Sequence, residues 1–341
     1  MVTPTAGGPA TWTGPVRAVV NATGAWGDLT RSQLALPGTR TFAGTRGSHF
    51  FTRHPGLMAA LGETAVYAEA ADGRLVFLLP VPEGIMVGTT DLPQVGSPDE
   101  AVATEAELAY LLNLVHDLFP KLGVQREDLT MHYSGVRPLP YIPDNTPAAT
   151  TRGHWVQRQP GPPLTLTIVG GKLTVARSLA EQVVREVLYP LPGRRLQTRE
   201  RLLPGAQNYP SDPVLRQQEQ ASQAAELALP LATVQLAWTL LGTRAELALR
   251  ESCASDRALL VGTPLPLGLI RWMLANEWVS TLEDLVERRL LLIYQEPLTR
   301  ATVEALADLL VAEGRLPESE RLTTLAAAAA RWHRHYGKHL A

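Results

Sequence analysis

The chain has 341 residues, 45% of them hydrophobic and 19% charged, with a formal net charge of −2. That length predicts two domains with substantial cores, and the near-neutral charge balance argues against nucleic acid as a partner. A single cysteine, Cys253, excludes an intrachain disulfide or a cysteine metal cluster and suits a reducing compartment.

Met1 to Pro15 is rich in Thr, Pro, Gly and Ala and lacks the basic start and apolar core of a signal peptide. No segment offers the roughly 20 uninterrupted apolar residues of a membrane helix, so the expected location is cytoplasmic. Val16 to Val20 reads as a strand. Further β-rich segments lie at Thr41 to Phe51, Thr64 to Glu69, Leu75 to Leu79 and Gly84 to Gly88. Turn signals such as Asp72-Gly73 and Pro82-Glu83-Gly84 separate them, which predicts an antiparallel sheet. A helix begins near Thr104, where Thr104 and Glu107 have capping-box spacing. Its apolar face is Leu108, Leu111, Leu112, Val115, Leu118 and Phe119, and Pro120 stops it.

The most informative segment follows. The apolar run Leu164 to Val169 leads into Gly170-Gly171-Lys172-Leu173-Thr174, which opens an amphipathic stretch to about Leu188. Strand, glycine turn and helix together build anion and cofactor sites. Paired glycines let backbone N–H groups approach a ligand, and a helix start presents unsatisfied donors with partial positive charge. Lys172 adds a full charge. Upstream, Arg137 in Gly135-Val136-Arg137-Pro138-Leu139 and Arg152 in Thr151-Arg152-Gly153-His154 lie in turn-rich sequence. Arginine is suited to bidentate phosphate or carboxylate recognition, so the three cations point to an anionic ligand.

From about Leu196 strand signals nearly vanish. Pro204-Gly205 and Tyr209-Pro210 read as a linker into a helical domain. Leu227 to Leu241 is the most apolar stretch; interrupted by Pro230 and Gln235, it reads as a buried helix. Ser280 and Glu283 have capping-box spacing before Leu282, Leu285 and Val286, and a stripe of Val303, Leu306, Ala307 and Leu310 ends at Gly314. His335 and His339 are four apart but have no carboxylate or cysteine nearby, so a solvated helix end is expected and no metal.

An ordered set of motifs resembles the FAD-dependent, respiratory type of glycerol-3-phosphate dehydrogenase. It comprises Val20-Asn21-Ala22-Thr23-Gly24-Ala25-Trp26, Gly47-Ser48-His49, Asp72-Gly73-Arg74 with Phe77 and Pro80, and Gly88-Thr89-Thr90-Asp91. It continues with Gly135 to Leu139, the Arg152/His154 pair, Gly170 to Thr174, and Glu277 with Asp284 to Arg289. The resemblance implies an α+β to α/β fold. An incomplete FAD-binding domain with an antiparallel substrate sheet would occupy residues 1–195, and an all-α C-terminal domain residues 196–341. The family's opening G-x-G-x-x-G turn occurs nowhere in this sequence.

The implied reaction is oxidation of sn-glycerol 3-phosphate to dihydroxyacetone phosphate by hydride transfer to FAD, with electrons passed to quinone at a peripheral membrane contact. His49, at the family's Gly-Ser-His position, is the candidate base or hydroxyl anchor. Arg137 and Arg152 would hold the phosphate, and Lys172 would stand between substrate and flavin. Gly24, Gly170, Gly171, Lys172, Leu173 and Thr174 would touch FAD. Two departures from the family's pattern are Val175-Ala176, where Thr-Tyr is usual, and Leu240-Leu241-Gly242, where Tyr-Gly is common. Two alternatives stay open for the isolated chain: a catalytically inactive remnant, or half of a split enzyme whose FAD-binding unit is a separate chain. An amine- or hydroxy-acid-oxidising flavoenzyme is the enzymatic alternative.

Overall fold

The β-rich reading of the first half is realised as two sheets. The structure, a computed structural model, describes residues 14–36, 38–82, 84–142, 153–159, 161, 163–188, 197–253, 256–295 and 297–341. They group into two compact units, Met1–Glu200 with His335–Gly337, and Arg201–Arg334 with Lys338–Ala341.

In the first unit, β1 (Ala18–Asn21) pairs in parallel with β9 (Leu164–Gly170), and β9 pairs antiparallel with β8 (His154–Gln159). The larger sheet contains β2 (Phe42–Thr52), β3 (Val66–Glu69), β4 (Leu75–Val81), β5 (Gly84–Gly88), β6 (Leu92–Pro93) and β7 (Leu129–Pro140). Its order is β3-β4-β5-β2-β6, with β7 along the other edge of β2, and all its pairings are antiparallel.

Two short helices, α1 (Gly27–Gln33) and α2 (Pro55–Leu61), flank these strands. The longer α3 (Glu105–Leu118) starts at the predicted capping box: Thr104 Oγ1 accepts from the Glu107 amide, and Glu107 Oε2 accepts from the Thr104 amide. Its buried leucines pack with Phe50, Val76, Leu78, Ile85 and Val87 of the sheet to make the main core. A smaller core lies where Leu179 and Val183 of α4 (Ala176–Leu188) meet Leu166 of β9.

The second unit is helical, as expected: α5 (Pro213–Leu227), α6 (Leu231–Leu241), α7 (Arg244–Cys253), α8 (Leu267–Asn276), a π-helical turn (Asp284–Arg289), α9 (Arg300–Ala312) and α10 (Arg321–Tyr336). The apolar stretch Leu227 to Leu241 is not one helix: α5 ends at Leu227 with Ala228 as its left-handed C-cap, and Pro230 is the N-cap of α6. Among the described residues no single helix is long and apolar enough to cross a membrane; α5 and α6 pass such a test only as a pair bent by 120°. The predicted capping pair Ser280/Glu283 is corrected by one residue. Thr281 Oγ1 accepts from the Asp284 amide, and Asp284 Oδ2 accepts from the amides of Thr281 and Ser280.

Candidate active site

Strand β2 runs through the larger sheet, and its alternation decides what faces where. Ser48 and Phe50 turn toward α3, one bonding Glu107 and the other joining the core, so Gly47 and His49 lie on the opposite face. Across the β2–β7 pairing, His49 stands opposite Tyr133, Gly47 opposite Gly135, and Thr45 opposite Arg137. His49, Tyr133 and Arg137 therefore share one face.

The His49 ring stacks on Tyr133, with centroids 4.8 Å apart and planes 10° from parallel. On its other side His49 pairs with Gly88, where any Cβ would overlap the imidazole. His49 Nδ1 is buried and, among the described residues, has no hydrogen-bond partner, which leaves Nε2 as the nitrogen open to a ligand. Burial, and after it the positive charge of Arg137, lowers the imidazole to about 4. His49 is thus neutral at physiological pH and can accept a proton.

Arg137 reaches from β7 across β2, through the space a side chain at Gly47 would occupy, to the Thr89–Asp91 segment that joins β5 to β6. Nη1 donates to Asp91 Oδ1 at 3.1 Å; Nη2 donates to Thr89 Oγ1 at 2.9 Å and to the Thr90 carbonyl at 3.3 Å. These bonds fix the plane of the guanidinium. Between Tyr133 and Arg137 on the same face lies Gly135, whose Cβ position has nothing within 4 Å, so the floor between imidazole and guanidinium is open.

A second group forms where β1 and β9 end. Their parallel pairing, with Asn21 opposite Thr167, sets the two carboxyl ends side by side, and each runs into a glycine turn. Gly24 (φ +59) opens a 3₁₀ turn, Gly24–Trp26. Gly170 (φ +73) and Gly171 (φ +98) lead into another, Leu173–Val175, and then into α4. Buried Asn21 holds the first turn: its Nδ2 donates to the Gly27 carbonyl at 2.9 Å, and its Oδ1 accepts from the Thr23 hydroxyl at 2.7 Å. At Gly170 a Cβ would overlap the Gly153 carbonyl.

Open α/β sheets bind cofactors in the crevice beyond the carboxyl ends of their strands. Lys172, Leu173 and Thr174 are exposed there, and the amides at this helix start lack intrahelical partners. A Cβ built on Gly24 would stand 4.0 Å from the side chain of Pro138, the neighbour of Arg137; the two groups of residues adjoin at that point. Glycine turns, helix-start amides, a lysine and an exposed leucine fit the edge of a large planar cofactor carrying negative charge.

A sequence profile of the FAD dependent oxidoreductase family matches residues 3–177. The chain belongs to that family. Among the relatives of this FAD-dependent oxidoreductase, a glycerol-3-phosphate dehydrogenase of Synechocystis sp. is 34% identical over 207 residues, covering 56% of this chain and 36% of its own length. The aerobic glycerol-3-phosphate dehydrogenase of Escherichia coli is 32% identical over 194 residues, covering 55% of this chain and 38% of its own. The chain therefore spans little more than a third of the length of these curated relatives. The glycerol-3-phosphate dehydrogenase from Bacillus halodurans, solved in complex with FAD, shares the fold: its TM-score is 0.74, over 93% of this chain and 62% of that one, at 23% identity.

Of the residues proposed from sequence for this flavoenzyme site, His49 and Arg137 come together on the sheet face. Gly24, Gly170, Gly171, Lys172, Leu173 and Thr174 come together at the paired strand ends. Arg152 lies outside the described residues. Sequence reasoning did not assign site roles to Tyr133, Thr89, Asp91, Gly47 or Gly88. Gly-Ser-His and Gly-Thr-Thr-Asp were visible as motifs, but only the strand pairing shows that Gly47 and Gly88 make room for Arg137 and His49.

Proposed function

We propose that this chain carries the substrate-oxidising site of an FAD-dependent glycerol-3-phosphate dehydrogenase, converting sn-glycerol 3-phosphate to dihydroxyacetone phosphate with electrons passed on to quinone. The observation that carries this reading is a neutral imidazole and a fixed guanidinium on one open face beside the glycine turns. The Arg137 fork recognises the phosphate, with Arg152 as a second cation; charge-assisted bonds of this kind contribute about 1.5–3 kcal/mol each. His49 Nε2 takes the proton from the substrate's C2 hydroxyl as the C2 hydrogen leaves with its electron pair. Bound FAD supplies the acceptor for that hydride. Lys172 stabilises the negative charge that builds up on the acceptor side, and Gly24, Gly170, Gly171, Leu173 and Thr174 shape its edge. In this reading the protein is cytoplasmic and meets the inner face of the membrane only peripherally.

Calorimetric titration of the purified chain separates the anion site from the cofactor question. sn-Glycerol 3-phosphate should bind, glycerol should not, and Arg137→Ala should weaken the phosphate ligand about 10- to 100-fold. Equal affinity of wild type and Arg137→Ala removes Arg137 from the site.

A further inference from the structure

Glu107 is only 2% exposed, yet its carboxylate lies among polar groups from three elements. Arg46 bridges its two oxygens, Nη2 to Oε2 at 2.9 Å and Nε to Oε1 at 3.4 Å, and their other partners differ. Oε2 accepts from the Thr104 amide at 3.1 Å, the Thr104 hydroxyl at 2.8 Å and Arg46 Nη2 at 2.9 Å, which completes the cap of α3. Oε1 points to the sheet and accepts from the Ser48 hydroxyl at 2.8 Å and the Thr90 hydroxyl at 2.8 Å.

An ionised carboxylate only accepts, so it dictates the direction of every bond beyond it. The Ser48 hydroxyl, having donated to Glu107, accepts from Ser134 of β7 at 2.5 Å; the Thr90 hydroxyl, having donated likewise, accepts from the Ser48 amide at 2.9 Å. The Thr90 amide in turn donates to the Ser48 carbonyl at 3.3 Å. Thr90 is thereby fastened to β2 at two points and to α3 at a third. Its own carbonyl, and the flanking Thr89 and Asp91, are the groups that hold Arg137. Ser48 is the residue before His49.

Resting on the reading of His49 and Arg137 as the substrate site, we propose that Glu107 is a positioning residue for it. Through Thr90 its Oε1 fixes the segment on which the Arg137 guanidinium lies, and through Ser48 it fixes the strand that carries His49. Oε2 serves the helix cap and the ion pair with Arg46 of β2. A carboxylate that a sequence reading treats only as the third residue of a capping box thus has a second task on the opposite side of the same group.

The split between the oxygens makes a discriminating experiment. Arg137 is one of the two causes of the low His49 titration, so the His49 ring resonance, followed by NMR through a pH titration, reports whether the guanidinium is in place without any ligand. Arg137→Ala marks the value for an absent guanidinium. Thr90→Val should move the His49 midpoint toward that value, whereas Thr90→Ser should restore the wild-type midpoint. Thr104→Ala, which removes an Oε2 partner, should lower the melting temperature and leave His49 unmoved. Glu107→Gln should resemble Thr90→Val. Where sn-glycerol 3-phosphate binds the wild type, Thr90→Val should weaken it about tenfold. A His49 midpoint in Thr90→Val equal to wild type, or one displaced as much by Thr104→Ala, overturns the role of Glu107. Absence of any glycerol 3-phosphate binding by wild type overturns the substrate reading instead, since the NMR comparison needs no ligand.

Discussion

At the scale of single residues, the site depends on one imidazole kept neutral and one guanidinium kept still. The pH dependence follows with a definite sign. His49 titrates at about 4 when folded and near 6.5 when unfolded, so between those values the unfolded chain binds a proton that the folded one refuses. Its contribution to stability is constant above about pH 6.5 and becomes unfavourable as the pH falls toward 4. Denaturant titrations at a series of pH values should show His49→Gln losing less stability than wild type over that window. For turnover the expectation is an acid limb of kcat/KM with its midpoint at about 4; an acid limb that persists unchanged in His49→Gln would mean that His49 is not the base. The glycines carry the complementary prediction: Gly88→Ala should displace the imidazole and cut turnover at least about 100-fold, the size of a lost general base. His49 and Arg137 were legible in the sequence because a family motif surrounds each. Tyr133 was not, and Asp91, though inside the Gly88-Thr89-Thr90-Asp91 motif, carried no role, because a cross-strand pair 80 or more positions apart and an ion pair 40 or more positions apart exist only in the folded chain.

At the scale of elements, local chemistry was readable wherever it is local. Strands β2 to β5, the cap and apolar face of α3, and the stop of α9 near Gly314 follow from spacing and turn residues; β7 does not, because Gly135 to Leu139 reads as turn-rich sequence and is a strand through its pairing with β2. The cap before the π-helical turn shows where such reading stops. Ser280 and Thr281 are both good capping residues and Glu283 and Asp284 both good partners, so sequence permits two registers, and packing of Leu282, Leu285 and Val286 selects the later one. Asp284→Ala should therefore cost about 0.5–2 kcal/mol in a denaturation experiment, while Ser280→Ala should stay within roughly 0.5 kcal/mol of wild type. The Gly170 turn is constrained differently. Its positive φ and the Gly153 carbonyl behind it leave no room for a side chain, so Gly170→Ala should lose about 1–3 kcal/mol.

At the scale of the whole molecule, sequence spacing predicts an antiparallel sheet and a helical half, but not that β1 and β9, more than 140 residues apart, pair in parallel. That long-range pairing aligns the Gly24 and Gly170 turns and makes them one cofactor edge rather than two unrelated loops. The proposed function is hydride transfer to a flavin next to an anion site. The measurement that tests this most directly is the visible spectrum of the purified chain with FAD, taken without oxygen before and after sn-glycerol 3-phosphate is added. Bound flavin bleached by glycerol 3-phosphate, unaffected by glycerol, and unbleached in His49→Gln is the predicted result. A bound flavin whose colour persists with glycerol 3-phosphate would contradict it.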